Sequence, residues 1–409
     1  MKRFIRPLAG AISLAAALAI GAFVLTGPAT AEDQPKEEVD TVGTTDMRGV
    51  WIASVANIDW PSQTGLSADE QKAELETLLD QAVSNKLNSV FLQIRPTADA
   101  FWPSPHEPWS HWLTGTQGED PGYDPLEFAV AAAHERGLEL HGWFNPYRVA
   151  QHTDPDQLDP EHPARVHPEW TFNYNGTMYY NPGIPEVREF VETAIMHAAE
   201  NYEIDGVHFD DYFYPYPAEG QSIPDEATYD EYGGDFDNIE DWRRNNVDLL
   251  VKEIGEKVDA LDREVSFGIS PFGIWRNKST DSNGSDTSGL ESYDSLYADT
   301  RKWVLEGYID YIAPQVYWYV GHSAADYAAL VPWWSSVIEA AGNDVKLYIG
   351  QAAYRINEED GYDDATLTEH LTFNKDHPQV SGDIYFSAKS LTTNAEEAMA
   401  RVVQDHYSG

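Results

Sequence analysis

The stretch DGVHFDDYFYPYP, residues 205–217, carries the most concentrated chemistry in the chain. An apolar strand-like run of Val207, His208 and Phe209 ends in two adjacent carboxylates, Asp210 and Asp211. Tyr212, Phe213, Tyr214, Pro215, Tyr216 and Pro217 follow at once. Like charges on neighbouring residues repel, and carboxylates at the end of a buried strand lose solvation, so such a pair needs a compensating use. Side chains alternate along a strand, which places His208, Asp210 and Tyr212 on one face and Phe209 and Asp211 on the other. With Phe209 packed outward, His208 and Asp210 point inward. Asp211, where the strand turns into a loop, can swing into the same pocket. Two carboxylates in an aromatic-walled cleft are the apparatus for protonating a leaving oxygen while stabilising positive charge on a sugar ring. Such a pair is expected to titrate together, one member lowered and the other raised. The alternative uses are an Asp211 that caps the next turn, or a calcium site.

Other chemistries lack their residues. There is no Cys, which excludes thiolate zinc sites and cysteine nucleophiles. His residues show neither H-E-x-x-H nor close metal-ligand spacing, and no G-x-S-x-G elbow occurs. DSNGSDTSG, residues 281–289, has its Gly at the wrong position for an EF-hand loop and reads as a rim loop. No metal and no cofactor is expected.

The elements that must position the carboxylate pair alternate between two periodicities. Apolar strand-like runs occupy 47–55, 89–96, 138–148, 205–212, 264–273, 309–318, 346–355 and 382–390. Between them lie segments with apolar residues at three- and four-residue steps, such as ADEQKAELETLLDQAVSNK, PLEFAVAAAHERG and NNVDLLVKEIGEKVDAL. Several of these end in Gly or Asn just before the next strand, as in HERGLEL and AAGNDVKL. Eight strands alternating with about eight helices predict an α/β fold, a single (β/α)8 TIM barrel over 47–409 with long β→α loops. An open doubly wound sheet would need a Gly-rich phosphate loop after its first strand, and none is present. The connections after strands two to five are long while the return turns are short, which places the site at the C-terminal face.

That face gathers Gln93 and Arg95 from strand two, Asn145 and Arg148 from strand three, and Ser270 from strand five. Gln315, Tyr317 and Trp318 follow from strand six, and Gln351, Tyr354 and Arg355 from strand seven. Trp102, Trp109, Trp112, Trp143, Trp275, Trp318, Trp333 and Trp334 fall in or near the β→α loops. Aromatic faces stack on the apolar faces of pyranose rings; the competing use of each is core filling.

The net charge of -43 over 409 residues repels nucleic acid and anionic lipid, so neither is an expected partner. Lys2, Arg3 and Arg6 precede an apolar run that ends in Ala29-Thr30-Ala31, the pattern of a signal peptide over 1–31; a single-pass anchor is the alternative. A polar linker over 32–46 follows. No Cys follows the apolar run, so no lipid anchor is expected, and the predicted location is secreted or cell-envelope associated.

MRGVWIAS, FLQIRPTADAFWPS, EPWSHWLTG, PGYDPLEFAV, HERGLELHGWFNPYR, DGVHFDDYFYP, SPFGIWRN, SYDSLYADTRKWV and YIDYIAPQVYW run in order along nearly the whole mature chain. They resemble the glycosyl hydrolase family 10-like proteins of the bacterial envelope. The resemblance implies a (β/α)8 barrel that acts on or binds a bacterial glycan, peptidoglycan first. A more distant similarity is to family 18 chitinases, whose fourth strand reads D-G-x-D-x-D-x-E; here His208 stands at the first inner acid, Asp210 at the second and Tyr212 at the catalytic Glu. The reading that follows is a secreted glycoside hydrolase acting on an N-acetylhexosamine polymer of the cell wall. Asp210 stabilises the oxocarbenium-like centre or orients an acetamido group, and Asp211 is the general acid. Arg95, Asn145, Arg148, Gln315 and Tyr317 hold hydroxyls and acetamides, with His208, Tyr212, Trp275 and Trp318 lining the site. Neighbours on one strand need not reach the roughly 5 Å of retaining or 6.5–9.5 Å of inverting enzymes, so Asp99 or Glu107 is a candidate partner acid. The other reading is a glycan-binding barrel without turnover, which the Tyr212 departure favours.

Overall fold

The computed structural model describes residues 46–408. The expected signal peptide, and the linker up to its last residue, lie outside them. Among the described residues there are eleven strands: β1 (Met47–Ile52), β2 (Ser89–Arg95), β3 (Glu139–Phe144), β4 (Arg148–Ala150), β5 (Thr171–Tyr174) and β6 (Thr177–Tyr180). The rest are β7 (Gly206–Phe209), β8 (Ser266–Ile269), β9 (Tyr311–Ile312), β10 (Lys346–Gln351) and β11 (Val380–Phe386). Eight of them close a barrel in the order β1-β2-β3-β7-β8-β9-β10-β11, every pair parallel. All eight predicted strands are barrel strands, so the (β/α)8 expectation holds. The long loop after β3 carries a feature that was not predicted, a small antiparallel sheet of order β4-β6-β5.

Helix starts follow local chemistry. Ser67 and Glu70 form a reciprocal capping box ahead of Ala68–Ser84, which buries Leu75, Leu79 and Ala82. Asp124 caps Pro125–His134 through the Leu126 and Glu127 amides, with Pro125 in the first turn. The third predicted helix begins earlier than its periodicity indicated, at Ile239, because Asn238 caps it through the Asp241 amide and Trp242 is buried. The helix Tyr327–Ala341 stops at Gly342, which adopts φ 61, as the AAGN pattern predicted.

The barrel interior is filled by large rings: Trp51, Phe91, Trp143 and Tyr311 form one cluster with Met47, Ala53, Ala313 and Ile384. His141 stacks on Phe91 with centroids 4.4 Å apart, and the His208 ring meets Phe91 edge-on at 4.9 Å. Glycines opposite these rings make the layer fit. A Cβ on Gly206 would lie 2.1 Å from His141 Nδ1, and one on Gly268 would lie 2.2 Å from the Tyr311 ring. A second, larger apolar cluster packs the outer face of the strands against the helices.

Candidate active site

Asp210 and Asp211 follow the last residue of β7 and open into a cleft of about 410 Å3 at the C-terminal end of the barrel. Both are buried, with 4 % and 6 % of their surface exposed. Asp210 accepts hydrogen bonds from Trp143 Nε1 at 3.0 Å, from Asn145 Nδ2 at 3.2 Å to each oxygen, and from the Tyr212 amide at 3.0 Å. The Asn145 amide is held in that orientation because its Oδ1 accepts from the Arg148 amide at 2.9 Å. Every partner of Asp210 is thus a donor that cannot accept, which suits an ionised carboxylate. Asp211 accepts from Gln315 Nε2 at 2.9 Å and is in close contact with the Tyr216 hydroxyl. A tyrosine hydroxyl both donates and accepts, so this partner tolerates a protonated Asp211 as well.

Burial lifts both carboxyls above the ordinary aspartate range. The charge of Asp211 lifts Asp210 further, against Arg148, the Tyr212 amide and Trp143. For Asp211 burial is opposed by Tyr216, Gln315 and Arg148. The expectation of one lowered and one raised value is therefore corrected: both side chains lose water, and desolvation acts on both in the same direction. The Arg148 guanidinium donates to the Pro96 carbonyl and lies 5.1 Å from the centre of the Tyr212 ring. Tyr212 is 37 % exposed at the mouth, with Tyr216 5.4 Å away.

Of the residues proposed from sequence, Asp210, Asp211, Arg148, Tyr212, Gln315 and Tyr317 line this cleft. Asn145 lies just beneath it, on Asp210. Six others lie elsewhere. Arg95 is fully buried and grips both oxygens of Glu107, while donating to the Asn145 and Pro146 carbonyls. The cause is a register shift in β2, where Gln93 pairs with Trp143 but Arg95 with Phe144; the bulge re-aims Arg95 out of the mouth. Asp99 is also buried, bonded to Gln117 and Thr97, so neither Asp99 nor Glu107 completes the pair. Among the described residues that line the cleft, Asp210 and Asp211 are the only acids.

His208 does point inward, but into the barrel interior below the cleft. Its Nε2 accepts from Trp51 Nε1 at 3.0 Å, which leaves the proton on Nδ1, 2.9 Å from the Tyr311 hydroxyl. Burial pushes its pKa well below the usual value, so it is a neutral structural group. Trp275 donates to Asp299 and stacks on Trp333, away from the cleft. Trp318 stands edge-on to Phe272 at 5.6 Å, so Phe272 lines the cleft and Trp318 backs it.

Trp143, one of the candidate stacking aromatics, also lines the cleft, and sequence reading gave no site role to Trp51, Gln93, Tyr216, Phe272, Tyr354 and Phe386. Gln93 and Tyr354 had been placed at the rim without a role, and Tyr216 sits in the aromatic run after the acids. Gln93 Oε1 accepts the Ser54 and Val55 amides, while its buried Nε2 has no partner in the protein. Among the described residues no three His, Asp or Glu come together in a way that could hold a metal ion.

Comparison with known proteins agrees with this architecture. The family model described as glycosyl hydrolase-like 10 matches residues 46–366. The chain is 50% identical over 397 residues to a protein named glycosyl hydrolase YngK, from Bacillus subtilis (strain 168), covering 96% of this chain and 76% of that one. It is 38% identical over 388 residues to glycosyl hydrolase DigH of Escherichia coli (strain K12), covering 88% and 87%. Among solved structures, the glycoside hydrolase domain of PgaB (BpsB) from Bordetella bronchiseptica superposes with TM-score 0.55 at 13% identity, over 87% of this chain and 98% of that domain. That likeness is one of fold.

Proposed function

The chain belongs to the glycosyl hydrolase-like 10 family and is a glycoside hydrolase, and from that premise we propose that it is secreted and cleaves an N-acetylhexosamine glycan of the bacterial cell wall, peptidoglycan first. The observation that carries the reading is the convergence of two buried carboxylates, with no other acid among the described residues, in one cleft walled by Trp51, Trp143, Tyr212, Tyr216, Phe272 and Tyr317. The leader-like residues 1–31 support secretion.

In this mechanism Asp211 gives its proton to the leaving oxygen as the glycosidic C–O bond breaks. Its neighbour Tyr216 can accept a hydrogen bond from the protonated form, and burial raises the carboxyl in that direction. Asp210, surrounded by donors alone, is the member of the pair that works as a carboxylate. It stabilises the positive carbon or orients the substrate's acetamido group so that the acetamido oxygen bonds to that carbon. An acetamido nucleophile removes the need for a third carboxylate, which accounts for adjacent acids doing the work of separated ones. Water then adds to the sugar carbon, the bond from the acetamido oxygen breaks to restore the acetamide, and the water's proton returns to Asp211.

The test is incubation of purified protein with peptidoglycan, with and without stem peptides, followed by mass analysis of soluble fragments. Wild type is expected to release fragments with new reducing ends, and Asp210→Asn and Asp211→Asn to pellet with the wall without releasing any. Pelleting of the wild type with no release would leave the binding-barrel reading instead.

A further inference from the structure

Beside the catalytic cleft lies a second concavity of about 640 Å3, built by the 111–117 segment, by β4 and by the loop that follows it. The two share their walls. In β4, Arg148 lines the cleft while Val149 and Ala150 line the groove. On the other side Ile58 lines the cleft, and its neighbour Asn57 donates to the Trp112 carbonyl at 3.0 Å. Trp112 lines the groove with His111 against it, ring centres 3.9 Å apart, and its indole is held by Thr97 Oγ1 at 3.2 Å.

The groove's chemistry narrows its ligand. Asp156 is paired with Arg165, which leaves Asp159 as the one uncompensated charge of the lining, so neither a polyanion nor a polycation is matched. The other polar lining groups are three glutamine amides, the Thr116 hydroxyl and the imidazoles of His111 and His152, all of which exchange hydrogen bonds with sugar hydroxyls, beside an aromatic ring of the kind that stacks on pyranose faces. Its volume falls in the range of small-molecule sites. We infer that this groove is a second carbohydrate subsite, which takes further sugar residues of the same chain whose scissile bond lies in the cleft. The inference rests on the glycan reading of the cleft.

Two variants test it without touching the cleft. Trp112→Ala removes the ring. Thr116→Trp fills the groove from an exposed rim position. Both are compared with wild type on N-acetylglucosamine oligosaccharides of graded length, by turnover and by calorimetric titration. Wild type is expected to gain in kcat/KM as the chain lengthens, and both variants to lose about tenfold of that gain while matching wild type on the shortest cleaved chain. If Trp112→Ala fails to fold, Thr116→Trp alone decides. No length dependence in the wild type, or length dependence retained in Thr116→Trp, would overturn the subsite. If no oligosaccharide is cleaved, the hydrolase reading of the cleft fails on this substrate, and titration still decides the groove: tighter binding of longer chains, lost in the variants, supports it, and equal binding overturns it.

Discussion

At the residue scale the two aspartates differ in what their neighbours can return to them. Trp143, Asn145 and the Tyr212 amide only donate to Asp210, whereas the Tyr216 hydroxyl on Asp211 can also accept. Asp211→Asn should lower turnover of ordinary glycans by about 10²–10⁴-fold, and much less with an activated leaving group that needs no proton. A pH prediction accompanies it. In wild type the Asp210 carboxyl must lose its proton for activity, and burial raises it, so the acid limb of the rate profile lies above the ordinary aspartate range. The amide of Asp211→Asn is neutral, as the protonated acid is, so the acid limb should stay near its wild-type place while the alkaline limb that follows loss of the Asp211 proton disappears. Initial rates measured across pH for both proteins check this, and an acid limb that moves to lower pH would mean that Asp211 is already charged when Asp210 ionises.

At the scale of elements, the bulge in β2 converts Arg95 from a rim residue into a brace for the loop after β3. Its guanidinium, paired with Glu107, holds the Asn145 and Pro146 carbonyls, and Asn145 in turn holds Asp210. Removing one partner of a buried pair leaves an uncompensated charge, so Arg95→Met should cost about 3–5 kcal/mol in denaturant unfolding, and adding Glu107→Leu should restore much of it. The β11 strand carries a different signature. Burial pushes the Asp383 carboxyl up to about 7, although Gln351 and Asn374 both donate to Oδ1, at 2.7 and 3.0 Å. The folded state then holds this proton more tightly than the unfolded chain, so its contribution to stability falls as pH rises from the ordinary value of 3.8 through about 7. Asp383→Asn keeps an acceptor at Oδ1 and cannot ionise. Thermal melts should show the variant near wild type in acid and a few degrees above it in mild alkali.

For the whole molecule, a net charge of -43 makes self-repulsion a global term. Salt screens it, since the Debye length falls from about 10 Å at 0.1 M to about 3 Å at 1 M. The melting temperature should rise by a few degrees over that range. Turnover of an uncharged oligosaccharide should change little, because no long-range attraction to substrate is being screened. A steep loss of kcat/KM with salt would instead indicate a charged substrate.

The barrel was legible from the chain alone because each strand is a continuous apolar run followed by helical periodicity, and both patterns are local. The carboxylate pair, Arg148, Gln315 and Tyr317 were legible for the same reason: a residue at the end of a parallel barrel strand must face one opening. Tertiary structure alone decided what surrounds them. The one-residue shift between Gln93 and Arg95 is set by pairing with β3, and it reverses which side chain reaches the mouth. Trp51 and Phe386 lie at opposite ends of the chain and meet in the cleft because β1 pairs with β11 to close the barrel. His208 and Asp210 share a strand face, yet depth along that strand separates a neutral interior histidine from an acid in the cleft. Periodicity reports the direction a side chain faces; how deep it sits and which neighbours it meets depend on contacts between strands far apart in the chain.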